Sequence, residues 1–251
     1  MHLTKLTVFL LFVILFIQSC GVRRYIGEEQ YLLRNVKVKE SNSDLKGALE
    51  PYIRQEPNSR FAGLFPFKLW FYALADRGNE NKIKWWMKNK LGEAITILDT
   101  NKVNESRILM TKLLRNKGYF NALVDPDMKY GKRKVKLSFK INKNKPYYLN
   151  EVHYKTDIPY INDNIKDITK ESLLIKGETY DIDIFEKERH RIVNKLKNIG
   201  LYQFYKDMLF FELDTSNGEQ KIDVLVKLNP VYDNKNMSRY LIKNVYSTKT
   251  I

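Results

Sequence analysis

A six-residue phrase occurs three times in this 251-residue chain, as YLLRNV at Tyr31–Val36, YYLNEV at Tyr147–Val152 and YLIKNV at Tyr240–Val245. Self-similar segments returning at long intervals mark an array built from one supersecondary unit, so the chain is constrained to repeat a small fold rather than to build one large one. Each phrase sets Leu or Tyr, a charged or amide group and then Val in a short β-favouring run, which reads as the opening strand of a unit. The first interval is longer than the second, so the first unit carries an insertion, and the third copy has almost nothing after it.

Between the phrases the two units align. Gly92-Glu93 precedes a helix expected over Lys102–Lys117, with Val103, Met110, Leu113 and Leu114 inward and Gly118 as terminator. Gly177-Glu178 plays the same part in the second unit. There Asp183 and Glu186 are expected to cap a helix running to Ile199, with Phe185, Ile192, Leu196 and Ile199 inward and Gly200 closing it. Aromatics follow each closing glycine, Tyr119-Phe120 in one unit and Tyr202, Phe204 and Tyr205 in the other, and a hairpin comes next. Val135, Leu137, Phe139 and Ile141 alternate after a turn at Gly131. Ile222, Val224, Val226 and Leu228 alternate after Met208–Leu213 and the turn Ser216-Asn217-Gly218-Glu219. The order is β-α-α-β-β, which predicts an α+β fold in which each unit is a small mixed sheet covered by helices.

The insertion lies in the first unit. Its opening strand is expected over Gln30–Lys39, and Ser43-Asp44 is placed to cap a helix to Gln55 with Pro51 as an irregularity. Phe67, Trp70, Phe71 and Leu74 then fall at helical spacing, as do Ile83, Trp86, Met87 and Leu91 among Lys82, Lys84, Lys88 and Lys90. Two readings compete: the pair extends the core, which buried Trp and Phe favour, or one basic amphipathic helix lies on a membrane.

The front of the chain reads as an address. Residues 6–17, LTVFLLFVILFI, are too short to span a membrane and fit the apolar core of a secretory signal. The chain's one cysteine, Cys20, closes the sequence IQSC, which resembles a bacterial lipobox. The resemblance implies cleavage before Cys20 and lipid on its sulfur, tying a periplasm-facing body to a membrane without crossing it. The net charge of +15 raises nucleic acid, anionic membrane and acidic clients as partners. An export signal removes the first of these. His153 and His190 have no ligand-spaced companions, and no phosphate loop or nucleophile elbow is present, so neither catalysis, a cofactor, a metal nor a small-molecule substrate is expected. His190 reads as a helix-surface residue paired with Glu186, and Glu188, Arg189 and Arg191 as surface ion pairs.

A β-α-α-β-β repeat with a helix-ending glycine, aromatics and a hairpin resembles the POTRA domain of the BamA/TamA outer-membrane assembly superfamily. NSRFAGLFPFKLWFY at 58–72, LGEAITILD at 91–99, LLRNKGYFNALV at 113–124 and LLIKGETYDIDIFEKERHRIVNKLKNIGLYQF at 173–204 resemble the amino-terminal part of its Bacteroidetes lipoprotein form, TamL. The resemblance implies a signal peptide over 1–19, a tether over 20–29, POTRA-like domains over 30–146 and 147–230, and a linker with the first strand of a third, incomplete domain over 231–251. The sixteen-stranded barrel of that family has no counterpart in this sequence. What the resemblance implies is a periplasmic location at the outer membrane, a lipid anchor on Cys20, and handling of unfolded outer-membrane protein clients or docking of a TamB-like partner. The alternative is a lipoprotein that only bridges envelope components. A three-stranded sheet leaves edges able to accept an extended strand, and the candidate edge is Met208, Leu209, Phe210, Phe211, Glu212 and Leu213. The competing reading has Phe210 or Phe211 simply packed on the helices.

Overall fold

The computed structural model describes residues 26–61, 66–76, 79, 81–216, 218–228, 240–241 and 244. The signal segment, Cys20 and most of the third phrase lie outside the described residues. The chain divides into two compact units, one of Met1–Thr111 with Leu123–Asn142 and one of Lys112–Ala122 with Lys143–Ile251. Each holds a three-stranded mixed sheet covered by helices, the α+β architecture that the repeat predicts.

The first unit runs β1 (Leu32–Lys39), α1 (Ser43–Leu49), a 3-10 turn at Glu50–Tyr52, α2 (Phe67–Ala75), α3 (Lys82–Trp86), a π turn at Met87–Leu91, α4 (Thr100–Asn116, of which the residues from Lys112 count with the second unit), β2 (Leu123–Gly131) and β3 (Lys134–Asn142). The sheet order is β1-β3-β2: β1 lies parallel to β3, and β2 closes an antiparallel hairpin on it. Alternation in β3 sends Val135, Leu137 and Phe139 inward, where Leu33, Val38, Leu49, Val103 and Met110 are also buried. β1 begins at Leu32 rather than Gln30. Asn42, one residue before the expected Ser43-Asp44, caps α1 by accepting from the Leu45 N–H at 2.9 Å, and the helix gives way to a 3-10 turn at Glu50–Tyr52, where Pro51 falls.

The aromatic pair departs most from expectation. In α2 the buried residues are Leu69, Ala73 and Ala75, not the Phe67-Trp70-Phe71-Leu74 stripe. Small side chains at 73 and 75 permit close approach. At Gly92, where the π turn ends, a Cβ would lie 3.0 Å from the Tyr72 Cα. The outcome is that Ile83, Trp85 and Trp86 are exposed at 69%, 51% and 50%, so this helix does not complete the core.

The second unit runs β4 (Tyr148–Thr156), α5 (Pro159–Asp163), α6 (Ile165–Lys170), α7 (Ile182–Asn198), a 3-10 turn at Lys206–Met208, β5 (Leu209–Asp214) and β6 (Lys221–Leu228). Its order, β4-β6-β5, with β4 parallel and β5 antiparallel to β6, repeats that of the first sheet. Ile222, Val224, Val226 and Leu228 are all buried against Phe185, Ile192, Leu196, Leu201 and Phe204. The N-cap of α7 is Asp181, accepting from the Asp183 N–H at 3.0 Å, rather than the expected Asp183–Glu186 pair. Two corners carry the same bond. The Tyr147 N–H, opening the second phrase, donates to the Gly118 carbonyl at 2.9 Å, and the Tyr240 N–H, opening the third, donates to the Gly200 carbonyl at 2.9 Å.

Candidate strand-docking edge

A strand can be added only where an edge offers unpaired backbone N–H and C=O groups. Among the described residues four strands lie at edges, and three are obstructed. At the start of β1, the Leu33 N–H donates to the Thr96 carbonyl and the Leu98 N–H to that of Tyr31, so residues 96–98 cover it. Residues 177–180 cover the start of β4 in the same way, with the Leu149 N–H on the Glu178 carbonyl and the Tyr180 N–H on that of Tyr147. β2 carries Pro126 at its centre, opposite Phe139, with Asp125 and Asp127 beside it. A proline lacks the donor that an incoming strand needs, and charged edge residues oppose pairing.

β5 has neither a covering segment among the described residues nor a proline, and its acids, Glu212 and Asp214, lie toward one end. Its sequence is LFFELD, and outside its pairing with β6 no described backbone partner reaches Phe210–Leu213. Five of the six expected edge residues are in the strand. Met208 is not: it closes the 3-10 turn at Lys206–Met208, and Asp214 extends the strand at its far end. Alternation divides the strand between two faces. Leu209 is fully buried, and the Phe211 ring meets that of Phe185 edge-on at 5.0 Å, so the reading of aromatic packing on the helices holds for Phe211. Phe210 points the other way, 47% exposed, and Leu213 is exposed near the strand end. Glu212 forms an ion pair with Lys227 across the hairpin.

Arg189 of α7 fixes the start of this edge. Its Nη1 donates to the Leu209 carbonyl at 2.6 Å and to that of Lys206 at 3.3 Å, while the guanidinium stacks 5.0 Å from the Phe211 ring centre. One contact of Arg189 is on Glu186, at 3.3 Å, so Glu186 does not pair with His190; His190 Nε2 lies 3.3 Å from Lys206 Nζ.

Behind the edge α7 holds an ionic cluster that the sequence presents as surface. Glu188 is fully buried. Its carboxylate accepts from Arg191 at 2.7 Å on both oxygens, from the Tyr154 hydroxyl at 2.9 Å and from the Leu173 N–H at 3.0 Å. Burial pushes the Glu188 carboxyl up, but the Arg191, Leu173 and Tyr154 donors together outweigh it and hold it below its ordinary value. Burial, with the Glu188 charge beside it, pushes the Tyr154 hydroxyl up. The Tyr154 hydroxyl also contacts the Ser172 hydroxyl at 2.6 Å, so the cluster ties β4, the 171–174 loop and α7 together. In the first unit Asn58 is likewise buried. It donates to the Ala94 carbonyl at 2.6 Å and accepts from the Thr96 N–H at 2.9 Å, steadying the segment that covers β1. Nothing in the pattern around Glu188 or Asn58 distinguishes either from a surface residue. Among the described residues no group of three or more His, Cys, Asp or Glu side chains is arranged to hold a metal.

Residues 75–144 match the family model of the POTRA domain, described as "Surface antigen variable number repeat". The matched residues run from the last residue of α2 to just past the end of β3, and the order of helices followed by a hairpin is repeated in the second unit. Among solved structures, it is similar to POTRA3-5 of BamA from Haemophilus influenzae at 11% identity and a TM-score of 0.39, over 80% of this chain and 61% of that one. POTRA1-2 of Omp85 from Anabaena is similar at 12% identity and a TM-score of 0.38, over 82% and 100%. CdiB from Escherichia coli is similar at 8% identity and a TM-score of 0.33, over 82% and 28%. No curated protein matches the chain.

Proposed function

We propose that this chain is the periplasmic, strand-handling part of an outer-membrane lipoprotein, assisting outer-membrane protein assembly or translocation by pairing extended client or partner segments with β5. The POTRA match and the repeated sheet order supply the class. The observation that carries the reading is the contrast between topologically equivalent edges: β2 is interrupted by Pro126, whereas β5 is proline-free and displays Phe210. A central proline that blocks strand addition is present at one edge and absent at the other. Main-chain hydrogen bonds would supply affinity, and alternate side chains meeting Phe210 on one face and Leu213 on the other a loose preference for apolar residues. Chemistry plays no part in this reading, and neither a cofactor nor a small substrate is required.

In the same proposal, Cys20 carries the lipid, the clients are unfolded outer-membrane proteins or a TamB-like periplasmic partner, and the residues from Tyr240 onward open a further unit. The bond from Tyr240 to the Gly200 carbonyl supports that last point, because Tyr147 makes the same bond to Gly118 where the second unit opens. The affinity to TamL rests on the long motifs at 58–124 and 173–204.

A photocrosslinking residue at Leu213, exposed near the strand end, should capture an unfolded barrel precursor, and Phe210→Lys in the same chain should lower that capture severalfold. Phe210 is exposed, so the substitution leaves the fold intact, which thermal unfolding verifies. Undiminished capture by a folded Phe210→Lys chain would sink the strand-docking reading. Depletion separates the wider role: an assembly component leaves outer-membrane barrels misassembled, whereas a bridging lipoprotein leaves them intact.

A further inference from the structure

The helix α3 and its π turn present a combination that the strand-docking role does not use. Residues 82–91, KIKWWMKNKL, contain four lysines and no acid. Half of their surface faces the unit: Lys88 forms an ion pair with Asp76 and sits 5.2 Å from the Tyr72 ring centre, while Met87 and Leu91 are half-buried. The other half faces outward, with Ile83 69% exposed and Trp85 and Trp86 about half exposed, flanked by exposed Lys82 and Lys90.

An apolar outward face would ordinarily cost solubility, and here it is held in place rather than collapsed onto the core. The five-turn hydrogen bond from the Gly92 N–H to the Met87 carbonyl at 2.7 Å closes the π turn. A Cβ at Gly92 would meet the Lys88 carbonyl of the turn at 2.7 Å and the Tyr72 Cα of α2 at 3.0 Å, so glycine there lets the turn close and lie near α2. Packing this tight fixes which face of 82–91 looks out.

The side chains on that face define their partner chemically. Tryptophan carries a large apolar ring with a polar edge and settles at the boundary between hydrocarbon and water. Lysine on a flexible stem reaches anionic headgroups around it, each worth about 1 kcal/mol at an anionic bilayer surface, or roughly fivefold in binding. Two adjacent tryptophans and an isoleucine within a ring of lysines match a surface that is apolar beneath and negative on top. We infer that the face formed by Ile83, Trp85 and Trp86 with Lys82 and Lys90 docks on an anionic phospholipid bilayer, setting the first unit against the membrane independently of any strand pairing at β5. A protein groove lined by acidic groups is the competing occupant, and the test separates the two.

The full chain carrying Trp70→Phe leaves Trp85 and Trp86 as the emitting tryptophans, since the sequence has three. It is bound to vesicles of phosphatidylcholine with phosphatidylglycerol, or of phosphatidylcholine alone, each prepared with and without brominated acyl chains. The expected result is a blue-shifted emission quenched by the brominated chains in the phosphatidylglycerol vesicles and much less quenched in phosphatidylcholine. Lys82→Gln and Lys90→Gln should each weaken the local docking about fivefold, with far-UV circular dichroism unchanged. Emission indifferent to bromination in anionic vesicles overturns the inference and leaves the face to a protein partner. Equal quenching in both lipid mixtures, or in the chain lacking both lysines, overturns its selectivity for anionic lipid.

Discussion

Single residues carry the stability of the docking edge. Glu188 and Arg191 form a buried pair beneath β4 and α7, and removing one partner of such a pair strands the other. Glu188→Ala should therefore destabilise the second unit by about 3–5 kcal/mol in urea unfolding, and Glu188→Gln by less, because an amide still accepts from Tyr154. The folded-state pKa of Glu188 lies below the unfolded value of 4.5, so its ionised form stabilises the fold fully above that pH. The contribution is lost as pH falls through the folded-state pKa, and an acid titration should show a flatter stability curve below pH 4.5 for Glu188→Gln than for the parent. Gly118 and Gly177 make a second, paired test, for both sit at φ +87°. A Cβ at 177 meets nothing within 4 Å, so Gly177→Ala should cost only the left-handed strain of about 1–2 kcal/mol. At 118 a Cβ would stand 2.7 Å from the Tyr180 carbonyl, so Gly118→Ala should cost clearly more, and equal losses in unfolding free energy would contradict that contact. Gly118 was legible from its place after an amphipathic run. Glu188 was not, because a carboxylate within EKERHR has the pattern of a solvated helix face and only a bidentate Arg191 and a tyrosine from another strand make its burial tolerable.

Elements were legible where their period is strict and obscure where two faces are apolar. The β6 run IDVLVKL alternates with the single exception of Leu225, and the structure buries each of its predicted inward residues. In α2 the aromatics and the small residues each trace a helical stripe. Packing buried Leu69 and Ala73, because backbones approach more closely over Ala than over Trp, and left Phe67, Trp70 and Phe71 half-buried and Leu74 exposed. The candidate edge was legible in position, from the repeat, and mistaken only at Met208, where the 3-10 turn tightens the chain before pairing begins. The equivalence of β2 and β5 yields a prediction of gained function. Pro126→Thr restores an N–H at the centre of an edge strand, opposite Phe139. The variant should self-associate with increasing concentration, read by sedimentation velocity, whereas the parent should not. Asp127 pairs with Lys140 and Lys39 and remains as a partial safeguard, so Pro126→Thr combined with Asp127→Val should associate at lower concentration than Pro126→Thr alone.

At the scale of the whole molecule the net charge of +15 has to be divided between its two proposed surfaces. Strand pairing at β5 draws on backbone hydrogen bonds and on Phe210 and Leu213. Of the charges beside it, Glu212 pairs with Lys227 and Arg189 with Glu186. The 82–91 face draws on exposed Lys82 and Lys90, while Lys88 behind it is paired with Asp76. Added salt separates these terms, since the screening length falls from about 10 Å at 0.1 M to about 3 Å at 1 M. Precursor crosslinking through β5 should therefore change little over that range, while quenching of Trp85 and Trp86 by brominated anionic lipid should decline steeply, in one preparation of the full chain. Parallel decline of both signals would mean that the positive charge drives client capture directly. The edge strand would then be incidental to it, and the acidic-client reading of the composition would replace the strand-docking one.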